Sequence, residues 1–443
     1  MTMKTFRKER INGWGYYSRN LEKVFRPERI KDLTELFCRG NGTFLARGSG
    51  TSYGDASINS DGINIDTTRL NKMLQFDSES GVLHCQSGVT LHDIVKTFHQ
   101  KGWFLNVTPG TQLSSVGGCV ACDSNGKNWK GGSFCSYVNG LNIMLHDGNI
   151  VYCDNQHNPD LFYATCGGMG MTGVILDVYI SLKKVSSSYI DVETIRFGTL
   201  RELFDIQLES MESHEYIFSW IDSHKEGESM GRGVLQRANH CNDGELVYRE
   251  GKKIPVWFNL PGIMVNKYLV KGFNSIYYHK AKNSNRQRSH IKGFFYPLDN
   301  FSNWNRIYGR KGFIQYQVAI PTNDAYAVIS ELLEIITKTK LASVITCIKP
   351  LINTRGLMSF PIDGFALAVD FAHNQKVFHL LDSLDEIVVS CGGRVYLAKD
   401  IRLNSENFRR MYSESLEQWE SIREKYNVRD KFSSLMFNRF NIN

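Results

Sequence analysis

Three short segments concentrate glycine with serine and threonine, the residue types that wrap backbone and hydroxyl donors around a phosphate. The first is Arg47-Gly48-Ser49-Gly50-Thr51-Ser52-Tyr53-Gly54-Asp55, following the strand-like Thr43–Ala46. The second is Pro109-Gly110-Thr111 with Ser115-Val116-Gly117-Gly118, and the third is Gly167-Gly168-Met169-Gly170-Met171-Thr172-Gly173. Glycines let backbone amides approach a pyrophosphate and permit turns of positive φ. Taken alone, each such segment is more often a tight turn than a phosphate site.

The third segment contains a literal G-x-G-x-x-G at Gly168, Gly170 and Gly173. A dinucleotide fingerprint of the Rossmann type needs a strand before it and a helix after it. Here Pro159–Thr165 reads as helix and Val174–Leu182 as strand. The order is reversed, so an NAD site of that type is rejected and a different nucleotide fold is indicated. Cys119-Val120-Ala121-Cys122 is a C-x-x-C, but no second ligand pair stands at zinc spacing, so no metal site is expected. The pair reads as small residues packed beside a ligand.

The elements that must position these segments can be read around them. Gly62–Asp66, Val82–Gln86 and Leu141–His146 read as strands, and Asp147-Gly148 as a hairpin turn into Asn149–Cys153. Thr90 is a candidate N-cap for a helix carrying Leu91, Ile94, Val95 and Phe98. Further on, Phe313–Ile320 and Phe365–Phe371 read as strands. Helices follow each, with apolar positions Val328, Leu332 and Ile335 in one and Val377, Leu380, Leu381, Leu384 and Val388 in the other. The second helix stops at Gly392-Gly393. Arg394–Ala398 reads as a strand before a polar helical tail. The pattern predicts an α+β chain of two domains with an antiparallel sheet.

The 443 residues, 42% apolar and 22% charged, suffice for a large folded core. A net charge of +7 is mild and does not point to nucleic acid. It is unevenly spread: Lys252 to Asp299 holds nine Lys or Arg and no acid before Asp299, interleaved with Trp257, Phe258, Leu260, Ile263, Met264, Tyr268, Leu269 and Val270. Such a segment suits an anionic membrane surface or a phosphate, and equally a solvated face. The ten cysteines form no disulfide framework, and neither an export signal nor a membrane-spanning run is evident. The expected location is the cytoplasm, with peripheral membrane contact through 252–292.

The ordered set RGSGTSYGD, PGT, SVGGCVACDSNGKN and GGMGMTGVI resembles the FAD domain of the vanillyl-alcohol oxidase and p-cresol methylhydroxylase superfamily. Further segments, FYPLDNFSNWNRIYG, GFIQYQVAIPT, LMSFPIDGF and GGRVYLAKD, are similar to a branch that oxidises a polyprenyl-phosphate sugar. The resemblance implies a two-domain fold, with residues 1–184 and 394–443 around the FAD and 185–393 around the substrate. It implies FAD contacts from Arg47, Gly48, Ser49, Gly50, Thr51, Ser52 and Tyr53, then from Pro109, Gly110, Thr111, Val116, Gly117 and Gly118. Ala121, Cys122, Asn125, Gly126, Asn128, Gly173, Ile175 and Tyr396 complete that set.

It also implies Lys399 at the reacting hydroxyl with Tyr53 beside it, and Lys127, Gln315, Gln317 and Lys349 along the substrate. Some superfamily members bind flavin covalently through a His where this chain has Thr51, so noncovalent FAD is expected. Ala366 and Ala368 stand where the branch has Asn and Cys, and Asn125 where it has His, which alters the pocket wall. The implied reaction is hydride removal from a secondary sugar hydroxyl, such as the 2′-OH of a polyprenylphosphoryl-ribose, with a short-chain reductase completing an epimerisation. Lys399 would serve there as a cation or as a base. An oxygen-using aldonolactone or alditol oxidase and a flavin-binding scaffold without turnover are the competing expectations.

Overall fold

A computed structural model describes residues 6–16, 20–251, 253–259 and 266–442. Near the N-terminus, Leu21–Phe25, Ile63–Asp66 and Phe44–Arg47 pair in parallel, with Arg7–Arg10 added antiparallel at the edge. Parallel pairing requires a crossover. Helix Ile30–Arg39 supplies it, burying Leu33, Leu36 and Phe37 against the strands. Phe44–Arg47 ends at the first glycine segment, so the loop emerges from the carboxyl end of a parallel strand, where open α/β sheets place ligands.

A six-stranded antiparallel sheet follows, ordered Met73–Phe76, Val82–Gln86, Val174–Lys184, Val138–Met144, Ile150–Cys153, with Trp103–Leu105 pairing the far end of Val174–Lys184. The Leu91–Phe98 helix begins where expected. Thr90 Oγ1 accepts from Asp93 N at 3.2 Å, and the Asp93 carboxylate accepts from Thr90 N at 3.2 Å. A cap of this kind contributes about 1 kcal/mol. The helix Val116–Ala121 buries Val116, Cys119 and Val120 in the same core.

An eight-stranded antiparallel sheet forms the third layer: Asn285–His290, Tyr189–Phe197, Gly233–His240, Tyr216–Ile221, Ala342–Leu351, Gly364–Ala372, Phe313–Pro321 and Arg394–Val395 in spatial order. Strand side chains alternate between faces. Ile314, Tyr316, Val318 and Ile320 therefore enter the core shared with helices Leu200–Ser213, Ala325–Thr339 and Gln375–Ser390. Gln315 and Gln317 point the opposite way, toward the glycine segments.

The mixed α+β architecture is as predicted, and three local readings are corrected. The Ala325–Thr339 helix buries Ala325, Ile329, Leu332, Leu333 and Ile336, leaving Val328 and Ile335 at the margin. Arg394–Ala398 is strand only over Arg394–Val395; the chain then turns, with Lys399 N donating to Tyr396 O at 2.9 Å. The helical tail is not polar throughout, because Phe408, Trp419, Phe437 and Phe440 are fully buried. The tail returns to the first sheet, where Phe44 N donates to Lys431 O (2.8 Å) and Ser433 N to Phe44 O (3.1 Å).

Candidate active site

The glycine segments and the inner face of the eight-stranded sheet enclose a cavity of about 330 Å³. Gly48–Tyr53, Pro109–Thr111, Gly118, Ala121, Cys122, Asn125 and Gly126 line one side. Gln315, Gln317, Ile345, Cys347, Lys349, Ala366 and Ala368 line the other, alternate residues of three adjacent strands. Lys127, Tyr396 and Lys399 stand between them.

Two backbone stitches bring the first glycine loop against the Tyr396–Asp400 turn. Tyr53 N donates to Ala398 O at 3.0 Å, and Gly54 passes so close that a Cβ there would lie 1.7 Å from Asp400 O. Lys399 is thereby laid over Tyr53, its Nζ 3.2 Å from the ring centroid. Burial pulls the Lys399 ammonium down to about 7, opposed by the Asp370 charge. The Tyr53 phenol is pushed up by burial and by Asp370, so it stays neutral and can donate a hydrogen bond.

Two further lysines face the cavity. Lys127 Nζ donates to Phe294 O at 2.6 Å and sits over the Phe294 and Phe218 rings at 4.2 and 4.8 Å. Lys349 Nζ donates to Gly126 O at 2.8 Å and also meets Asn125 Oδ1. Burial lowers both to about 8. All three lysines are half-buried by area because their heads face the cavity, while protein surrounds them on the remaining sides. Asp299 holds the second segment, accepting from Thr111 Oγ1 at 2.7 Å and Gln112 N at 2.8 Å.

Several residues of the expected FAD set lie outside this lining. Arg47 braces the loop from behind, its guanidinium donating to Asn12 O at 2.7 Å and Ser57 Oγ at 2.8 Å. Val116 is in the core, and Gly117 packs on Ser87, where a Cβ would come within 2.6 Å. Asn128 holds Asn106 O at 2.8 Å. Gly173 and Ile175 belong to the sheet, with Gly173 at φ +146 against Met144 O.

Sequence reasoning missed Asp370, Tyr308, Trp304, Phe218 and Cys347. Asp370 continues the alternation of Ala366 and Ala368 by one step, but its pairing with Gln315 is visible only in the register of the folded sheet.

The residues present fit FAD. Among the described lining residues there is no carboxylate, three are lysines, and the wall is rich in hydroxyls and amides. A Cβ at Gly110 would meet nothing within 4 Å, and the buried Asn125 Nδ2 has no partner among the described residues. An anionic, hydrogen-bond-rich ligand matches these features.

Residues 22–154 match the family model described as an FAD binding domain. Fold, cavity and comparisons define the class, an FAD-dependent oxidoreductase, as the resemblance implied. The chain is 29% identical to the decaprenylphosphoryl-beta-D-ribose oxidase of Mycolicibacterium smegmatis over 98% of either sequence. A D-arabinono-1,4-lactone oxidase of Candida glabrata is 26% identical over 53% of this chain and 46% of its own. An L-gulonolactone oxidase of Mus musculus is 27% identical over 48% of each. The sugar-oxidase resemblance thus runs the whole length, whereas the lactone oxidases share about half.

Proposed function

We propose that this protein oxidises a secondary hydroxyl of a sugar carried on a polyprenyl phosphate, the 2′-OH of a ribose-like unit, to the keto sugar. The observation that carries the reading is Lys399. It is an amine that burial draws down to about 7, laid over Tyr53 where the glycine loops meet a wall of lysine and glutamine. Full-length similarity to a decaprenylphosphoryl-ribose oxidase supports that substrate class over a free lactone.

Bound FAD supplies the hydride acceptor. It would be held by the Gly48–Tyr53 loop, Gly110, Thr111, Gly118, Cys122 and Tyr396. Lys399, near its own pKa at neutrality, takes the hydroxyl proton as the C–H bond is lost. Gln315 and Gln317 orient the sugar hydroxyls, and Lys349 and Lys127 offer charge-assisted bonds to a substrate phosphate. Phe218, Leu298 and Trp304 narrow the space and exclude water. A short-chain reductase acting on the keto product would complete an epimerisation. The test is product analysis. Incubation with polyprenylphosphoryl-ribose and an artificial electron acceptor should yield a product lighter by two hydrogens (~2 Da), as loss of a hydride and a proton requires. Unchanged substrate would refute the reading.

The flavin is expected to be noncovalent. Thr51 stands where the resemblance puts the His of covalent superfamily members, and its hydroxyl pairs with Ser114 Oγ at 2.9 Å. Acid precipitation should release yellow flavin to the supernatant; flavin retained on the washed pellet would contradict this.

The same reading extends to the membrane. No described helix is long and apolar enough to cross a bilayer. Helix Lys267–Lys280 buries only Val270 and Asn274, leaving Tyr268, Leu269, Phe273 and Ile276 exposed, and Trp257 and Phe258 are exposed as well. Such a patch on a soluble surface marks an interaction site. The basic residues are fewer than the sequence suggested: Arg286 and Arg288 pair with Glu193, Asp243 and Glu245, and Lys292 is buried. Lys253, Lys267, Lys271, Lys280 and Lys282 are exposed. Lys252, Leu260, Ile263 and Met264 lie outside the described residues.

Trp257 is tied to the cavity rim, because Arg306 holds Val256 O and Trp257 O at 3.1 and 2.9 Å while Trp304 lines the cavity. A prenyl tail could leave along this path. Replacing Lys267, Lys271, Lys280 and Lys282 with Gln should weaken binding to anionic vesicles, each charge being worth about 1 kcal/mol at low salt. Equal sedimentation of variant and parent protein would remove the hypothesis.

A further inference from the structure

The fully buried Asp370 lies on the cavity-facing side of Gly364–Ala372, one alternation beyond Ala368, yet does not reach the cavity itself. Its carboxylate accepts from Gln315 Nε2 at 2.6 Å and from Tyr308 OH at 3.2 Å. Tyr308 is fixed in turn by Ser343 Oγ at 2.8 Å and by stacking on Phe313 at 4.6 Å. Phe313 packs edge-on against Tyr53 at 5.0 Å, and Lys399 Nζ lies over the same Tyr53 ring at 3.2 Å from its centroid. A buried carboxylate is costly unless it is hydrogen-bonded and compensated by charge. Two neutral donors satisfy its oxygens, and the nearby charge of opposite sign is Lys399.

We propose that Asp370 is a positioning residue: it aims the Gln315 amide into the cavity and supplies the counter-charge that sets the protonation of Lys399. The inference rests on the reading of Lys399 as the group that meets the sugar hydroxyl. Lys399 is faced by Asp370 from Gly364–Ala372, by Cys122 at the end of Val116–Ala121, by Lys349 from Ala342–Leu351 and by the Tyr53 ring. Burial raises the Cys122 thiol, so it stays neutral, and Lys349 opposes the charge on Lys399. Asp370 itself is faced by Gln315, Tyr308 and Lys399, and its charge bears on Tyr53 and Cys347.

Burial drives Asp370 up to about 7 and Lys399 down to about 7, and each draws the other back toward its charged form. The sign of the effect follows. Removing the Asp370 charge takes away what raises Lys399, so Lys399 loses its proton at lower pH.

The experiment uses the FAD-loaded protein. Flavin absorbance is titrated between about pH 5 and 9, a window that brackets the value of about 7 to which burial brings both groups. The transition abolished by Lys399→Met is assigned to Lys399. In Asp370→Asn, which keeps the shape and one acceptor, that transition should move down by about one pH unit or more, a tenfold change in the protonation equilibrium. The acid limb of anaerobic flavin reduction by substrate should move with it, so that at low pH the variant keeps a larger share of its own plateau rate than the parent.

Tyr308→Phe removes one bond to the carboxylate without touching its charge directly. It should shift the transition in the same direction by less, and it carries the test if Asp370→Asn does not fold. A transition fixed at the parental pH, with reduction merely slower at every pH, would overturn the proposal. The absorbance titration needs no substrate. A shifted transition without reduction by any prenyl-phosphate sugar would therefore sink the substrate reading and leave the role of Asp370 standing.

Discussion

Lys399→Ala is expected to purify yellow and to lose flavin reduction by sugar. The stitches that hold its turn are backbone bonds, Tyr53 N to Ala398 O and Lys399 N to Tyr396 O, and they survive truncation of the side chain. Tyr396 keeps its bond from the phenol to Cys122 O at 3.1 Å, so the expected flavin-binding wall is unchanged. What disappears is the amine proposed to take the hydroxyl proton. Removing a general base or a preorganised charge at the reacting oxygen costs about a hundredfold to a thousandfold in rate. Lys399→Arg should not restore the rate, because a guanidinium stays protonated and its planar head does not sit as an ammonium does. Stopped-flow reduction under nitrogen reads both variants. If Lys399→Ala reduces its flavin within a few-fold of the parent, Lys399 is structural, and the proton must go to Tyr53, Lys127 or the Gln315–Gln317 strand.

Gly54→Ala should do comparable damage by a different route. A Cβ at this position would lie 1.7 Å from the carbonyl oxygen of Asp400 and 2.7 Å from Ile401 Cγ2. Neither the carbonyl nor the chain behind it can rotate aside, so the first glycine loop and the lysine-bearing turn must separate. Overpacking of this kind costs about 1–3 kcal/mol or more. The parting also dismantles the cavity wall between Tyr53 and Lys399. The variant should purify with little or no flavin and melt earlier than the parent. Gly272→Ala is the matched control: it lies on the exposed face of Lys267–Lys280, with nothing within 4 Å of its added carbon, and should not weaken the fold. Normal flavin content in Gly54→Ala would show that the two loops do not depend on each other.

Gly54 also explains why some of the site was legible in the sequence and some was not. The glycine segments, each by itself more often a turn, were legible as an ordered set through their resemblance to an FAD domain, and their order excluded the Rossmann arrangement. Thr90, the Asp147-Gly148 turn and the Gln375–Ser390 helix were readable because caps, hairpin turns and apolar stripes are local physics. Gly148 indeed adopts φ +86, and Val377, Leu380, Leu381, Leu384 and Val388 are all buried.

The Tyr396–Asp400 turn was not readable. Val395-Tyr396-Leu397-Ala398 has the composition of a strand, but Tyr53 and Gly54, more than 300 residues earlier, bend it through contacts that no local pattern contains. Asp370 was hidden for a related reason. An acid within an apolar strand becomes interpretable only once the register places Gln315 opposite it and Tyr308 above it. The basic character of 252–292 was overstated because a run of basic residues does not reveal which are paired with distant acids, as Arg286 and Arg288 are.

The central claim is that electrons pass from a lipid-linked sugar alcohol to the flavin beside Lys399. The most direct measurement is the flavin absorbance of the reconstituted protein under strict anaerobiosis, on mixing with polyprenylphosphoryl-ribose and, separately, with free ribose, L-gulonolactone and D-arabinonolactone. Rapid bleaching by the prenyl-phosphate sugar, with the free sugar and the lactones slower by orders of magnitude, is the predicted result. Bleaching by a lactone, or retention of fully oxidised flavin with every sugar tested, would contradict it.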